Sequence, residues 1–461
     1  MSSAGALPRR HVRIAVLARA CHPFHGRGGL ERHVHDLVRH LLARDVSVAL
    51  VTPPDRGARR AAQAGAAGDE IEAARVFADP RCVRYTIPYR TFPLAGRRGT
   101  TVIDRSTAYP LFGRRAGRFA AELVRRGEVD LVYGLGASVL GYARAREHGA
   151  TAPLVFNPQG LEEFGATDPW HGGAWLKRAG YAPLRRAVRA CARAADCVIA
   201  TDHVLEPIVR RHLGIPADRI RVVPNAIDLD ACDRLAGPED GRRLRAAHGI
   251  GDRELVLLSV GRLQANKGFH VLAEALARLA AGLKPGSPTG TSPASGPGPG
   301  GTAGISWRWV LVGEGPYRPA IERVIDACGL RGRVLLAGRA SEADLHAWYE
   351  AATLFVHPTL YEGSSLVTLE AMAHRRAVLA TRAGGLPDKV RPGISGWLVE
   401  PGDAGALASA LDLALHQIDR LAAMGREGRA LVEDRFSWPS VVEVFLDLCA
   451  GLLERASRPF P

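Results

Sequence analysis

Two glutamates stand eight residues apart in the stretch YEGSSLVTLE, which runs from Tyr361 to Glu370. Paired carboxylates can serve as a catalytic acid and base, as metal ligands or as acceptors for hydroxyl groups. If Glu362 lies in a turn and Glu370 about two helical turns further on, their Cα atoms are on the order of 10 Å apart. That separation argues against a hydrolase pair that spans one glycosidic bond. It favours two carboxylates that each hold a hydroxyl of one extended polar ligand.

The residues between these glutamates predict the start of a helix. Gly363, Ser364 and Ser365 follow the apolar strand TLFVHP, and Ser364 suits the N-cap of the helix LVTLEAMAHR. Free N–H groups from Gly363 to Leu366 at such a start can hold phosphate or sugar hydroxyls. Glu370 falls among apolar positions of this helix, which favours its buried side over a solvent-facing one.

Two cations stand at another strand end, in SVGRLQANKGFHVLAEAL, where Arg262 follows a strand and Lys267 precedes a helix. A guanidinium fork and an ammonium point charge together suit a pyrophosphate. Either cation alone would be common in a solvated loop, but Gly261 and Gly268 flank this pair. The pattern therefore predicts a diphosphate site.

A glycine pair, Gly28 and Gly29, stands between the first strand and its helix. Glycines there let backbone amides approach an anion at the positive helix end, although a tight turn uses the same residues. His33, His35 and His40 on that helix lack the i, i+4 spacing that points two ligands the same way, so zinc is not predicted there.

Apolar strands alternate with amphipathic helices along the chain, as in VRIAVLA, LERHVHDLVRHLLARD and VSVALVT. This alternation is typical of parallel sheets covered on both faces, and it restarts near residue 229. We therefore predict an α/β protein with two Rossmann-like doubly wound domains facing a cleft, at 1–228 and 229–435. Residues 284–304, rich in Gly, Pro and Ser, are expected to be a flexible loop. An amphipathic helix is predicted at 436–461.

The net charge of +14 is confined to the first half of the chain. Residues 1–228 hold 35 Lys and Arg against 21 Asp and Glu, and the remainder holds 26 against 26. An anionic partner of that half would explain the asymmetry, as a phosphorylated substrate, a membrane surface or nucleic acid. A GC-rich genome also enriches arginine, but it does not explain why one half alone is basic. Nucleic acid is disfavoured because aromatic residues are only 6% and no reader motif is present.

The remaining bulk properties favour an intracellular protein. No apolar run reaches the roughly 18 residues of a membrane span, and the N-terminus shows no signal-peptide cleavage pattern. The seven cysteines are scattered without C-x-x-C spacing, so neither a disulfide framework nor a zinc cluster is expected. We expect a cytoplasmic location, with a peripheral place on the inner membrane face as an extension.

These motifs resemble those of the retaining GT-B glycosyltransferases of the family-4 type (glycosyl transferases group 1), over almost the whole chain. The most specific element is the E-x7-E signature of Glu362 and Glu370. SVGRLQANKG, LVGEGP, GGLPDKVRPGISGWLVEPGD and VVPNAID also carry the resemblance. It implies transfer of a sugar from a nucleotide-diphosphate donor to a hydroxyl acceptor, which is lipid-linked or a glycan in many such enzymes. It also implies a retained anomeric configuration and no metal or other cofactor.

The resemblance implies roles for the residues of the second half. Arg262 and Lys267 match positions that neutralise the donor pyrophosphate. Glu362 matches a contact to donor-sugar hydroxyls, beside the amides of residues 363–366. Glu370 matches the glutamate that binds the ribose.

Two further sites concern the base and the glycine loop. We predict base recognition near Gly338 and Arg339, where the third strand of the second domain ends. Gly28 and Gly29 match the N-terminal loop that closes over the phosphates and faces the acceptor.

The sequence departs from the family pattern in three places. Gln159, in FNPQGLEEF, stands where many members have a histidine near the donor sugar; glutamine can hydrogen-bond a hydroxyl but cannot titrate. Ala226 replaces a frequent glycine. Glu162 and Glu163 lie near the expected site with no assigned role beyond a helix N-terminal charge.

Other functions fit some of these residues. Asp228-Leu229-Asp230 is formally a metal-binding D-x-D motif, but its position after PNAI favours a hinge. A sugar-nucleotide epimerase would share the fold and act without an acceptor, and a catalytically silent nucleotide-sugar-binding protein would keep the same residues. Acceptor choice is expected in loops at about 85–110 and 157–180.

One basic helix is predicted within 176–196, and a basic amphipathic helix can lie on an anionic bilayer. Its cations are Lys177, Arg178, Arg185, Arg186, Arg189 and Arg193.

Overall fold

The structure, a computed structural model, describes residues 11–26, 28–55, 67–89, 101–158, 161–164, 179–282 and 305–457. Backbone contacts divide the chain into two compact units, Met1–Ala226 with Trp438–Pro461 and Ile227–Ser437. The division falls two residues before the predicted boundary at 228. The C-terminal helix belongs to the first unit and is not a separate part. The predicted loop at 284–304 lies outside the described residues.

The first unit contains a seven-stranded parallel sheet in the order β3-β2-β1-β4-β5-β6-β7. Its strands are β1 (Arg13–Leu17), β2 (Ser47–Thr52), β3 (Cys82–Thr86), β4 (Leu131–Leu135), β5 (Leu154–Asn157), β6 (Cys197–Ala200) and β7 (Ile220–Val222). Its first helices are α1 (Gly29–Leu42), α2 (Ala67–Arg75), α3 (Thr101–Arg125), α4 (Leu140–Arg146), α5 (Ala182–Ala194) and α6 (Glu206–Leu213).

Two elements of this unit differ from the prediction. Strand β3 was missed because Arg84 and Thr86 interrupt its apolar residues, so it lacks the continuous apolar run of the other strands. Helix α3 occupies residues 101–110, which the sequence analysis assigned to an acceptor loop; that assignment was wrong for this segment. Residues 90–100 lie outside the described part of the chain.

The second unit contains a six-stranded parallel sheet in the order β10-β9-β8-β11-β12-β13. Its strands are β8 (Leu255–Val260), β9 (Trp307–Val312), β10 (Val334–Gly338), β11 (Leu354–His357), β12 (Ala377–Thr381) and β13 (Gly396–Val399). Its helices include α7 (Leu229–Leu235), α8 (Pro238–Ala247), α9 (Phe269–Ala280), α10 (Arg318–Ala327), α11 (Glu342–Ala351), α12 (Leu366–Ala373), α13 (Leu386–Lys389), α14 (Ala404–His416) and α15 (Ile418–Arg435).

The last helix, α16 (Trp438–Ser457), packs its apolar face against α1. Trp438, Val442 and Phe445 are buried with Val34 and Val38 of α1 in one hydrophobic cluster. This burial explains why the helix belongs to the first unit.

The predicted pair of doubly wound parallel sheets is confirmed. In each sheet the strand order reverses beside the unit's first strand, between β1 and β4 and between β8 and β11. Open parallel sheets bind ligands at the carboxyl ends of the strands beside such a reversal. In the second unit, the loops at this point carry Arg262, Lys267 and Glu362.

Candidate functional site

The loops that follow β8 and β11 are tied together through Asn266. Its carbonyl oxygen accepts hydrogen bonds from the Leu360 N–H at 2.8 Å and the Thr359 hydroxyl at 3.0 Å. Gly268 has φ +68°, and a Cβ there would lie 2.0 Å from the Pro358 carbonyl oxygen. Only glycine fits this close crossing, which fixes the loop that bears Lys267.

Lys267, Glu362 and His357 meet at this crossing. The Lys267 Nζ lies 2.5 Å from Glu362 Oε2, and His357 Nε2 lies 3.0 Å from the same oxygen. Because an ionised carboxylate only accepts, His357 donates through Nε2. The Nδ1 of His357 is buried and has no hydrogen-bond partner among the described residues. Lys267 and His357 therefore both contact Oε2 of Glu362, and we call these three side chains the charged centre.

The pKa values follow from this contact. Burial raises the pKa of Glu362, but the hydrogen bond from His357 and the charge of Lys267 outweigh burial and lower it to about 2. Burial lowers the pKa of His357, while the hydrogen bond to Glu362 opposes that shift. At neutral pH Glu362 is thus an anion that can accept a hydroxyl hydrogen bond, and it is a poor general acid.

The helix start beside Glu362 differs in detail from the prediction. Ser365, not Ser364, is the N-cap of α12, and its side chain accepts from the Thr368 N–H. The Ser364 hydroxyl instead accepts from the buried Lys389 Nζ at 3.1 Å. No backbone N–H from Gly363 to Leu366 donates to another described residue. These amides remain able to bind a polar ligand, as the first N–H groups of a helix commonly are.

A glycine turn supports the backbone of Glu362 from the other side. Gly384 has φ +52°, and a Cβ there would lie 1.7 Å from the Glu362 carbonyl oxygen. The Gly385 N–H donates to the Gly363 carbonyl at 2.9 Å. The GGLPDK motif therefore holds the turn that presents Glu362, with Lys389 at its far end.

Glu370 lies on the inner side of α12, with 7% of its surface exposed. The Tyr349 hydroxyl donates to its Oε2 at 2.8 Å. The hydrogen bond from Tyr349 therefore fixes the orientation of the Glu370 carboxylate.

The other predicted positions of the second unit lie at neighbouring strand ends. Arg262 is exposed directly after β8. Gly338 ends β10 with φ +68°, its carbonyl accepts from the Gly313 N–H at 2.8 Å, and Arg339 beside it is exposed. These side chains do not contact the Lys267 and Glu362 pair in any described hydrogen bond.

In the first unit the glycine pair lies where the sequence placed it. Gly28 is the N-cap of α1, Gly29 is its first residue, and both are exposed. Gln159 lies outside the described residues. Glu162–Phe164 form a short 3-10 helix, and the backbone carbonyl of Glu163 accepts from Arg185 at 3.0 Å.

Two residues from the domain junction also have local roles. Ala226 is buried at the end of the first unit. The Asp228 carboxylate accepts from the Ala231 N–H at 3.0 Å as the N-cap of α7, while Asp230 is exposed. A capping role for Asp228 accounts for the first acid of the D-x-D motif without a metal.

Sequence reasoning missed His357 and Lys389. His357 is the last residue of β11 and Lys389 is the last of α13; neither side chain is exposed. A polar residue at the carboxyl end of an apolar strand was a usable signal for His357. Nothing in the local pattern shows that Lys389 reaches Ser364.

Two family models match the chain, one for each half. The description "Glycosyltransferase Family 4" matches residues 27–231, and "Glycosyl transferases group 1" matches residues 240–431. The chain belongs to the family-4 type of glycosyltransferases. The predicted resemblance to the family-4 type is thereby confirmed, while the retained configuration stays a prediction.

Curated relatives of this family-4 chain match only in part. It is 29% identical over 256 residues to alpha-D-kanosaminyltransferase from Streptomyces kanamyceticus, covering 55% of the chain and 58% of that protein. It is 32% identical over 258 residues to D-inositol 3-phosphate glycosyltransferase from Mycobacterium tuberculosis, covering 54% of the chain and 47% of that protein. The matches thus span about half the length of these relatives.

Solved structures of similar fold match the chain over nearly its full length. Sucrose-phosphate synthase from Thermosynechococcus elongatus has a TM-score of 0.67 at 22% identity, covering 96% of this chain and 100% of its own. HepE from Anabaena in complex with UDP-glucose has a TM-score of 0.63 at 20% identity, with coverage of 96% and 100%. At this level of identity the likeness shows the GT-B fold of the family-4 chain, as predicted.

Proposed function

We propose that this chain is a glycosyltransferase that moves a sugar from a nucleotide-diphosphate donor to a hydroxyl acceptor. One observation carries the proposal: Lys267, the ionised Glu362 and the amides of residues 363–366 converge at one strand edge of the second unit. An ammonium group and helix-start amides suit the donor diphosphate, and the carboxylate suits a sugar hydroxyl.

The same residues support the chemistry of the donor bond. When that bond breaks, negative charge develops on the diphosphate, and fixed cations and amide dipoles stabilise it without reorganisation. Lys267 supplies one such cation and Arg262 a second. We propose on this basis that the reaction needs no divalent metal. We also propose that the anomeric configuration is retained, because the family resemblance implies it. Glu370 is proposed to hold the ribose, with Tyr349 fixing its carboxylate.

Donor binding can be tested with a thermal-shift panel of nucleoside diphosphates and their sugars. A ligand that binds only the folded protein raises its melting temperature, so one base should stand out from the others. UDP and UDP-glucose belong in the panel because HepE was solved with both. A flat response across the whole panel would contradict the proposal.

Tests of the product's anomeric configuration and of metal dependence require an acceptor that the enzyme uses. Proton NMR of the first product formed should show the donor's anomeric configuration, and turnover should persist in excess EDTA. An inverted product would reject retention, and loss of turnover reversed by added Mg²⁺ or Mn²⁺ would reject metal independence.

We also propose a lipid-linked acceptor and contact with an anionic membrane surface. This contact is electrostatic only, and is therefore narrower than the amphipathic-helix binding that the sequence predicted. The apolar face of α5, including Leu184, Val188 and Cys191, is buried in the core of the first unit. Helix α5 therefore has no free apolar face that could insert into a bilayer. Its exposed cations, such as Arg186 and Arg193, could still be attracted to anionic lipid. Lys177 and Arg178 lie outside the described residues.

Flotation with anionic and neutral liposomes tests this contact. Binding should require anionic lipid and fall steeply with salt, because exposed charges are screened. Equal behaviour with both kinds of liposome would reject it. In the described residues, no helix combines the length and apolar character needed to cross a membrane.

A further inference from the structure

Three potential metal ligands meet in the core of the second unit. Cys232 of α7, His346 of α11 and His374, the C-cap of α12, are all buried, and one ligand atom from each lies within 4.8 Å of the others. Three helices far apart in sequence thus contribute one side chain each. Among the described residues, no other group of three His, Cys, Asp or Glu side chains meets this criterion.

The ligand types are those that zinc prefers. Zinc binds cysteine sulfur and histidine nitrogen at about 2.3 Å and 2.0–2.1 Å, so neighbouring ligand atoms of a tetrahedral site are about 3.4 Å apart. The His346 Nδ1 and His374 Nε2 are 2.7 Å apart, sharing a hydrogen bond. Metal binding would replace that bond and open the pair by about 0.7 Å. A side-chain adjustment of this size needs no change of fold.

The surroundings of His374 match those of a metal-bound histidine. Its Nδ1 lies 2.6 Å from Glu350 Oε1, and the Arg376 guanidinium holds the other carboxylate oxygen at 3.1 Å. A histidine ligand typically donates its second ring N–H to a carboxylate, which fixes the tautomer and leaves the other nitrogen for the metal. In His374 the nitrogen left for a metal is Nε2, which faces His346. Tyr349 stacks on the ring with centroids 5.6 Å apart.

We propose that Cys232, His346 and His374 form a zinc site that joins α7, α11 and α12. One position of the tetrahedron is left to a non-protein ligand such as water. All three ligands are buried, and His374 is the C-cap of α12, so the metal would tie the helix that carries Glu370 to α7 and α11. It is independent of the proposed function, since it concerns metal binding alone. The sequence expectation against a zinc cluster rested on local spacing, which cannot reveal ligands from three separate helices.

Metal content and cobalt spectroscopy test the site directly. Protein purified without chelator under reducing conditions should contain about one zinc per chain by elemental analysis. After chelator treatment, added Co²⁺ should give the visible bands of tetrahedral cobalt and a thiolate charge-transfer band in the near ultraviolet. Cys232→Ser should abolish the charge-transfer band. Cys328→Ser, which changes a partly exposed cysteine of the same unit, should keep it.

Thermal unfolding provides a second measurement if one variant folds poorly. Zn²⁺ should raise the melting temperature of stripped wild-type protein and of Cys328→Ser, and should leave that of Cys232→Ala and His374→Gln unchanged. The proposal is overturned if wild-type protein takes up no metal. It is also overturned if Cys232→Ser keeps the thiolate band, because the metal is then held elsewhere. In that case the histidine pair is a hydrogen-bonded core element only.

Discussion

The two units have similar sheets, but the chemistry at their strand reversals differs. In the second unit, Lys267 and His357 both contact one carboxylate oxygen of Glu362, and the loops that carry Lys267 and Glu362 are held by the close crossings at Gly268 and Gly384. In the first unit, the loop after β1 leads to Gly28 and Gly29, an exposed helix start with the Glu31 carboxylate in its first turn. One sheet therefore offers fixed charge, while the other offers backbone amides. We expect substitutions to have large effects at the charged site of the second unit and small effects at the glycine helix start of the first unit.

The largest effect is expected from Lys267→Ala. The substitution removes a cation from the diphosphate site and leaves the partly buried Glu362 with His357 as its partner but without its counter-ion. We expect kcat/KM to fall by about 10²–10³-fold, as when one preorganised charge donor is lost from an active site. Steady-state kinetics with the donor found in the thermal-shift panel measures this.

Arg253→Ala is the matched control for the lysine variant. Arg253 is an exposed cation of the same unit that precedes β8. It should keep wild-type turnover, and equal losses in both variants would show that charge anywhere in this unit matters, against a specific role for Lys267.

Glu362→Gln is expected to have the next largest effect. It keeps the shape but removes the anion, and a hydrogen bond to a charged group contributes about 1.5–3 kcal/mol, or about 10–100-fold in kcat/KM. Unchanged turnover would reject Glu362 as a sugar-hydroxyl contact.

The same variant gives a pH test with a defined sign. Because the folded pKa of Glu362 is lowered from 4.5 to about 2, its ionised form stabilises the folded state above pH 4.5, and this contribution is lost as the pH falls towards 2. The difference in unfolding free energy between wild type and Glu362→Gln should therefore shrink with falling pH across that window. Urea denaturation at several pH values measures it, and a difference independent of pH would contradict the assigned pKa.

Strands and motif residues of the two units could be predicted from the sequence more reliably than contacts between distant elements, for physical reasons. Inner strands were recognised because a strand covered on both faces must be apolar throughout, and the partly buried edge strand β10 was recognised because its sequence is apolar as well. The edge strand β3 was missed because Arg84 and Thr86 interrupt its apolar run. Lys267 and Glu362 could be named as candidates from motifs, but their contact spans 95 residues of sequence. His357, Lys389 and the Cys232, His346 and His374 group depend on packing between elements, which no local pattern encodes.

Gly268→Ala tests the rigidity of the second unit's loop. Alanine would be forced to a left-handed φ of +68° with its Cβ 2.0 Å from the Pro358 carbonyl oxygen. We expect a loss of at least about 2 kcal/mol in unfolding free energy, which lowers the melting temperature by about 5 °C or more. Calorimetry measures the shift, and a variant as stable as wild type would mean that the crossing of the two loops is loose.

Gly28→Ala, the corresponding change in the first unit, should have the smallest effect. Gly28 has φ −72°, which any residue adopts, and its added Cβ would meet only the Glu31 carboxylate, the mobile end of a side chain that can turn away. The melting temperature should therefore stay within about 1 °C of wild type. A methyl group at an amide-lined helix start still hinders close approach of an anion, so KM should rise by less than about tenfold. A loss as large as that of Lys267→Ala would show that the glycine start of α1 takes part in catalysis as fully as the charged centre of the second unit.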